Sequence, residues 1–322
     1  MDAAGVVGHV GRKGLRLALV DSAGAIVPDT TRRYAAEQGA SVSGALSAFQ
    51  RDMSLRRLPE RLGLAVAGLA RGDVISITHT RWLISRSGLQ AMLGLPPLIL
   101  NDFEAEAWAL TQANLTAFQA VGSSRIPSMD RPGTYCVIGM TSGLGVSVIS
   151  RDAAGGVHVL ATEAGHSGFA PASSAMAELA SRAFRGTYPI VAEHLVSAAG
   201  LLAIYNALAA QKAGRRFDRP EDITRLASSD PLARQACETL CEAFWTHAGS
   251  LLLTYGAWDG VILTGGLAAA LRPMIASDQM HRVFSGTGKH ARQLASVPRA
   301  MITMDDAELI GIAKALHTFD RR

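Results

Sequence analysis

A strand, a glycine-bearing loop and a second strand stand near residues 4–20 and recur at 134–149, so the chain reads as two copies of one fold unit. In the first copy, residues 4–9 and 15–20 carry the apolar alternation of strands and flank Val10-Gly11-Arg12-Lys13-Gly14. In the second, residues 134–138 and 146–149 flank Gly139-Met140-Thr141-Ser142-Gly143-Leu144-Gly145. A chain of 322 residues is long enough for two domains, each with its own core.

After the first pair of strands, Asp21-Ser22-Ala23-Gly24 reads as a hairpin turn into a return strand from Ala25. Helical spacing over 46–58 is followed by a continuous apolar strand at 62–69 and a strand at 74–78. Ser85 caps a helix through Met92, and a short apolar strand leads to Asp102 and a helix near 105–120. A Pro-, Gly- and Ser-rich link, 122–133, precedes the second copy. Helices are then expected at 174–185, 191–211, 221–226 and 231–255, with strands at 260–263 and near 300–304 and a last helix at 307–319. This order implies mixed sheets covered by helices, an α/β protein.

Composition narrows the function. The chain is 48% hydrophobic and 18% charged, as expected for a globular protein with a large buried fraction. Its net charge of +4 comes from scattered pairs such as Arg32-Arg33 and Arg215-Arg216, not from a basic stripe with interleaved aromatics, so nucleic acid is not expected as a partner. No apolar run approaches the roughly 20 residues of a membrane span, and no membrane partner is expected. Cys136, Cys237 and Cys241 form neither a disulfide framework nor a zinc spacing, which points to a reducing cytoplasm. Cys237 and Cys241, four apart in an apolar helix, read as core residues.

Several short stretches could carry chemistry, and each also has a plainer reading. In Asn101-Asp102-Phe103-Glu104-Ala105, Asp102 lies where a strand gives way to a helix. It is either an N-cap or a general base at the carboxyl end of a strand. Ser142-Gly143-Leu144-Gly145 either cradles phosphate or makes a tight hairpin. Thr264-Gly265-Gly266, between a strand and a helix, is a second phosphate candidate. Neither matches a Walker or dinucleotide fingerprint. In Glu163-Ala164-Gly165-His166, a carboxylate and an imidazole three residues apart could hold adjacent sugar hydroxyls or form a solvated turn. Glu193, at a helix start, could do no more than complement the helix dipole. Glu163 and His166 offer too few ligands for a metal, and no residue is assigned to one.

Taken in order, these segments resemble the bacterial glucokinase family, within the sugar kinase, actin and Hsp70 superfold. The likeness runs from Asn101-Asp102-Phe103 and Ser142-Gly143-Leu144-Gly145 through Glu163-x-Gly165-His166-x-x-Phe169-Ala170-Pro171. It continues with Glu193, Gly200-Leu201 and Tyr205, Thr264-Gly265-Gly266, and Asp305 with Leu309 and Gly311. The zinc-binding cysteine motif of the repressor/ORF/kinase class is absent. The resemblance implies a two-domain actin-like ATPase fold, ribonuclease H-like and duplicated, with an interdomain cleft. It implies a small domain at 1–112, completed by the C-terminal helix at about 307–322, and a large domain at 113–306.

The same resemblance implies phosphorylation of glucose or a related hexose by ATP and Mg2+ in the cytoplasm, with a homodimer as the expected assembly. Asp102 then matches the base that takes the proton of the sugar 6-hydroxyl. Asn101, Glu163, His166 and Glu193 match residues that hold ring hydroxyls, and His79 stands where that loop usually has Asn. Ser142, Gly143, Gly265 and Gly266 match contacts to ATP. The first loop departs from the family: Asp-x-Gly-Gly-Thr-Asn is replaced by His9-Val10-Gly11-Arg12-Lys13-Gly14, with Arg16 retained. Magnesium prefers oxygen ligands, so His9 is a poor substitute, while Gly11, Arg12 and Lys13 remain candidates to clamp phosphate. A rival reading is therefore a catalytically impaired homologue that binds sugar as a sensor or regulator.

Overall fold

Val6 and Val10 point to one side of the first strand, and Leu15, Leu17 and Leu19 of the second point the same way, which drives the two into a hairpin over a shared core. The computed structural model describes residues 3–11, 14–35, 41–77, 82–211 and 215–319. The chain divides into two units, Met1–Ala113 with Met304–Arg322, and Asn114–Thr303.

In the first unit, β1 (Gly5–Gly11) and β2 (Gly14–Val20) pair antiparallel, and β3 (Arg32–Tyr34) adds to β2. Helix α1 (Val42–Asp52), capped by Ser41, buries Leu46 and Phe49 on the valine and leucine face. The strand β4 (Leu62–Val66) then joins β1 in parallel. A ribbon of β5 (Val74–Ser76) and β6 (Leu83–Ser85) leads into α2 (Arg86–Leu93), capped by Ser85 and ended by Gly94 at φ 93°. The parallel β7 (Leu98–Asn101) runs directly into α3 (Asp102–Leu110). The sheet order is β3-β2-β1-β4-β7.

The second unit repeats this topology with one strand added. Here β8 (Gln119–Ala120) is the addition, and β9 (Gly133–Met140), β10 (Leu144–Arg151) and β11 (Val157–Thr162) form the antiparallel meander. Four helices follow: α4 (Ser174–Ala183), α5 (Ala192–Leu195), α6 (Ala198–Gln211) and α7 (Pro220–Leu226). Next, α8 (Pro231–Tyr255) buries Cys237, Cys241, Phe244 and Trp245, and burial pushes the Cys237 thiol up to about 12. Parallel β12 (Gly260–Thr264) joins β9, and short helices follow: α9 (Gly266–Ala270), α10 (Arg272–Ile275), α11 (Asp278–Ser285) and α12 (Ala291–Ser296). Last, β13 (Arg299–Met301) completes the order β11-β10-β9-β12-β13-β8. Among the described residues, no helix is long and apolar enough to cross a membrane.

Four expectations are corrected. The return strand from Ala25 shrinks to a bridge between Val20 and Ile26, because Pro28 cannot donate to a ladder, and pairing resumes only at β3. The helix expected near 105–120 stops at Leu110, and Asn114 caps a separate 3₁₀ turn, Leu115–Ala117. The helix expected over 191–211 breaks in two where the Ser197 hydroxyl accepts from the Gly200 amide at 3.0 Å and restarts it. Finally, β11 lies where no strand was expected.

The first unit is closed by the end of the chain, α13 (Ala307–Phe319), laid on α3 and on the small residues of β4. Gly311 lies against the Ala105 carbonyl with no room for a Cβ, and Gly63 meets Ile312. Backbone thus rests on backbone, and the position of α3 depends on Gly311. Replacing Gly311 by Ala should lower the unfolding free energy by about 3 kcal/mol, an overpacking cost that a rigid helix pair cannot relax. An unchanged urea midpoint for this variant would rule out the close crossing.

Candidate active site

In the first unit, the carboxyl ends of three parallel strands meet. The Ala67 amide donates to the Val10 carbonyl at 3.0 Å, and Val66 is the register partner of Asn101. This is the end of an α/β sheet at which ligands bind. Asn101, not Asp102, is the cap of α3: its Oδ1 accepts from the Phe103 amide at 2.9 Å, and its Nδ2 donates to the Gly68 carbonyl at 3.1 Å. Asp102 is the first helical residue, half-buried, with Oδ1 3.0 Å from the same Phe103 amide. Asp102 and Glu104 both complement the positive end of the helix.

Glu104 is a residue that the sequence reading missed. Burial pushes its carboxyl up to about 7, against a hydrogen bond from the Asn101 amide that favours the charged form. The clue was its spacing: three residues after the cap, it stands at the capping-box position.

His9 and Arg16 are cross-strand neighbours, and they meet the start of α13. Arg16 Nη1 donates to Asp306, Nη2 donates to Glu308 at 3.0 Å, and the same Nη2 lies 2.7 Å from His9 Nδ1. A guanidinium can only donate, so Nδ1 accepts and the proton of a neutral His9 sits on Nε2. Burial holds His9 below its ordinary pKa, and Arg16 adds to this against the pull of Glu308. Burial would raise the Glu308 carboxyl, but its charged and amide neighbours outweigh that and hold it low. The basic and acidic groups at this corner therefore satisfy one another. Gly11 ends β1 beside the His9 ring. Arg12, Lys13 and His79 lie outside the described residues.

In the second unit, the candidates gather around Leu144. Its amide donates to Glu193 Oε2 at 2.8 Å, and its carbonyl packs so closely on Gly165 that no Cβ fits there. The hairpin tip Ser142-Gly143, Glu193 of α5 and the Glu163–His166 segment are thereby held together. His166 Nε2 stands 4.0 Å from Glu163 Oε2, both side chains about half exposed. The segment is fastened by Ala192 donating to the Ser167 carbonyl and Phe169 to that of Ile190.

Gly265, at φ 95°, meets the Met140 carbonyl and the Thr141 methyl, so the Gly265-Gly266 turn adjoins the end of β9. The Thr264 hydroxyl is buried without a protein hydrogen-bond partner. This corner offers backbone amides, an exposed Ser142 hydroxyl and an unused buried hydroxyl, a donor set that fits phosphate oxygens. Among the described residues, no three His, Cys, Asp or Glu side chains gather into a metal-binding group.

Two copies of one mixed sheet, each with helices at the carboxyl ends of its parallel strands, make this an actin-like ATPase fold. A glucokinase from an Antarctic psychrotroph superposes with a TM-score of 0.82 at 24% identity over 99% of both chains. A ROK family glucokinase from Streptomyces griseus, solved in complex with glucose and AMPPNP, superposes at 0.60 with 17% identity over 97% of this chain and 98% of that one. By sequence, the glucokinase of Stenotrophomonas maltophilia strain R551-3 is 33% identical over 96% of this chain and 93% of that protein. The Glucokinase family model matches residues 6–319, and the chain belongs to the glucokinase family.

Glu104 makes a pH prediction. A carboxyl raised from its ordinary 4.5 to about 7 contributes stability that is complete at low pH and lost as pH rises through about 7. Glu104→Gln keeps an acceptor for the Asn101 amide without the charge. The variant should gain on the order of 1–2 kcal/mol over wild type between pH 5 and pH 8, discounted for partial exposure. Equal differences at the two pH values would show that Glu104 ionises normally.

Proposed function

We propose that the protein is an ATP-dependent hexose kinase, with glucose as the acceptor and Asp102 as the general base. The observation that carries this reading is the division of roles at the seam of β7 and α3. Asn101 takes the cap, so the carboxylate beside it, at the carboxyl ends of the parallel strands, need not be explained as one. Asp102 accepts the proton of the sugar 6-hydroxyl as that oxygen attacks the γ-phosphorus, and the bond to the bridging oxygen breaks to release ADP.

Asn101, His79, Glu163, His166 and Glu193 hold the ring hydroxyls. A carboxylate only accepts and a neutral imidazole both donates and accepts, so the Glu163 and His166 pair suits adjacent hydroxyls. Glu193 uses the oxygen that Leu144 does not engage. Gly11, Arg12, Lys13, Ser142, Gly143, Gly265 and Gly266 bind the nucleotide. Magnesium arrives with ATP as part of the substrate, neutralising phosphate charge, and no protein ligand is assigned to it. The family membership supports this reading, as does the S. griseus relative with its bound glucose and AMPPNP.

Asp102→Asn should cut turnover by about 10²–10⁴ while glucose affinity stays near wild type, because the amide keeps the shape but accepts no proton. A variant that keeps most of the wild-type rate removes Asp102 as the base. Glu163→Ala should weaken glucose binding by about 1–3 kcal/mol in calorimetry, from hydroxyls left unpaired. Equal affinities would take Glu163 out of the site.

A second reading, a sugar-binding sensor of low activity, is favoured by the self-satisfied corner of His9, Arg16, Asp306 and Glu308. The two readings separate on the first loop. Gly14, at φ 113°, has no room for a Cβ against the Tyr34 carbonyl, so a restored loop must keep it. The combined variant His9→Asp, Arg12→Gly, Lys13→Thr should raise turnover with magnesium-ATP if only this loop is impaired. A wild type turning over at about 10 s⁻¹ or faster would discard the impairment. A restored loop that binds magnesium-ATP and transfers nothing would favour the sensor.

A further inference from the structure

A buried guanidinium without a counter-ion stands in the second unit, at the opposite end of the sheet from Thr264-Gly265-Gly266. Arg299 opens β13 and is only 3% exposed. Its register partner is Val261, near the start of β12, whereas Thr264 ends that strand. Among the described residues no carboxylate lies within ion-pair distance of it. Its Nη2 is 2.7 Å from His281 Nδ1, and its guanidinium carbon lies 4.9 Å from the ring centre of Phe284 and 5.8 Å from that of Trp245. Nη1 is buried with no hydrogen-bond partner.

Neither contact supplies negative charge. The two rings offer only their faces, and His281 is neutral at the nitrogen that accepts. Burial lowers the His281 pKa, and Arg299 lowers it further against the pull of Asp278. Burial alone pushes the Arg299 guanidinium down to about 10, still charged at neutral pH. A buried charge left unpaired is among the costliest features a fold can keep, and each such group calls for a missing partner.

The space beside Arg299 shows what kind of partner fits. Arg299 lines a cavity of about 10 Å³, with room for about one small occupant, together with Gly122, Ser123, Ser277 and Asp278. The loop at Gly122 (φ 60°) lies so close to the Ala276 carbonyl that a Cβ would come within 2.7 Å of it, and this forms one wall. The other wall is the start of α11, an eight-residue helix whose first amides carry partial positive charge. Its cap, Ser277, accepts from the Met280 amide at 3.4 Å, which leaves the hydroxyl proton to donate. Asp278 is the one adverse group, and it stands on the exposed rim, where water screens it.

We infer that Arg299, Ser277 and the start of α11 form a binding site for a small monovalent anion of chloride size, remote from the glycine turn and serving to neutralise the guanidinium inside the second unit. A single-atom anion suits the narrow space beside Arg299 better than a tetrahedral oxyanion. Water would satisfy Nη1 but leave the charge unanswered, so the anion explains both features with one occupant.

The test uses the full chain in two ways. Crystals grown in sodium bromide should show an anomalous peak beside Arg299 Nη1. Water there, or the Asp278 carboxylate swung onto the guanidinium, would overturn the site. In solution, the melting temperature should rise with chloride at constant ionic strength, with gluconate as the balancing anion, and should then saturate. Arg299→Met should melt at a temperature independent of chloride. An equal chloride response in both proteins would mark a general salt effect and overturn the proposal, as would a sulfate response that Arg299→Met loses as fully as it loses the chloride response. If Arg299→Met does not fold, the bromide experiment on wild type still decides.

Discussion

The missing side chain at Gly311 governs the first unit. With only hydrogen there, α13 lies on the Ala105 carbonyl, and the chain's last helix fixes α3 and the seam that begins it. The other ends of the two helices carry the polar groups. Asp102 and Glu104 open α3, while Asp306 and Glu308 flank the start of α13. One close crossing therefore sets both the carboxylate proposed as the base and the acidic pair that holds Arg16.

The second unit reaches the same end by a different device. Leu144 is gripped at its amide by Glu193 and at its carbonyl by the approach of Gly165. In the proposed site, Glu193 would carry two roles. One carboxylate oxygen orients the hairpin that carries Ser142 and Gly143, and only the other is open to a ligand. A sugar held by that oxygen would be sensed by the loop proposed to meet the nucleotide, because the two share a single carboxylate.

Much of this was legible in the sequence, and the failures have physical causes. The strand pairs at β1–β2 and β9–β10 announced themselves by apolar alternation, and α8 by an unbroken helical period from its Pro231 start. The return strand after Gly24 failed on Pro28, whose effect is on a ladder that periodicity does not see. The break at Ser197 failed for a related reason: the run is apolar on both sides, and only the serine's capping bond divides it. At the site, Asp102 could be named but not separated from a cap, because that distinction rests on which residue's backbone is the last extended one before the helix, and it is Asn101. Arg299 left no signal, since its meaning lies in the absence of a partner.

His9 shows how far a local substitution can be absorbed. An aspartate at this position of β1 would stand beside Glu308 and Asp306, three carboxylates sharing Arg16. Like charges at such range raise one another's pKa and loosen the corner. The neutral histidine relieves that crowding: it accepts from Arg16 and leaves both flanking acids paired. The corner is therefore better satisfied without a cation than an aspartate would leave it. The corner has found its partners within the chain. The self-paired corner leaves the seam at Asn101 and Asp102 untouched, so the two halves of the proposed reaction can be impaired separately.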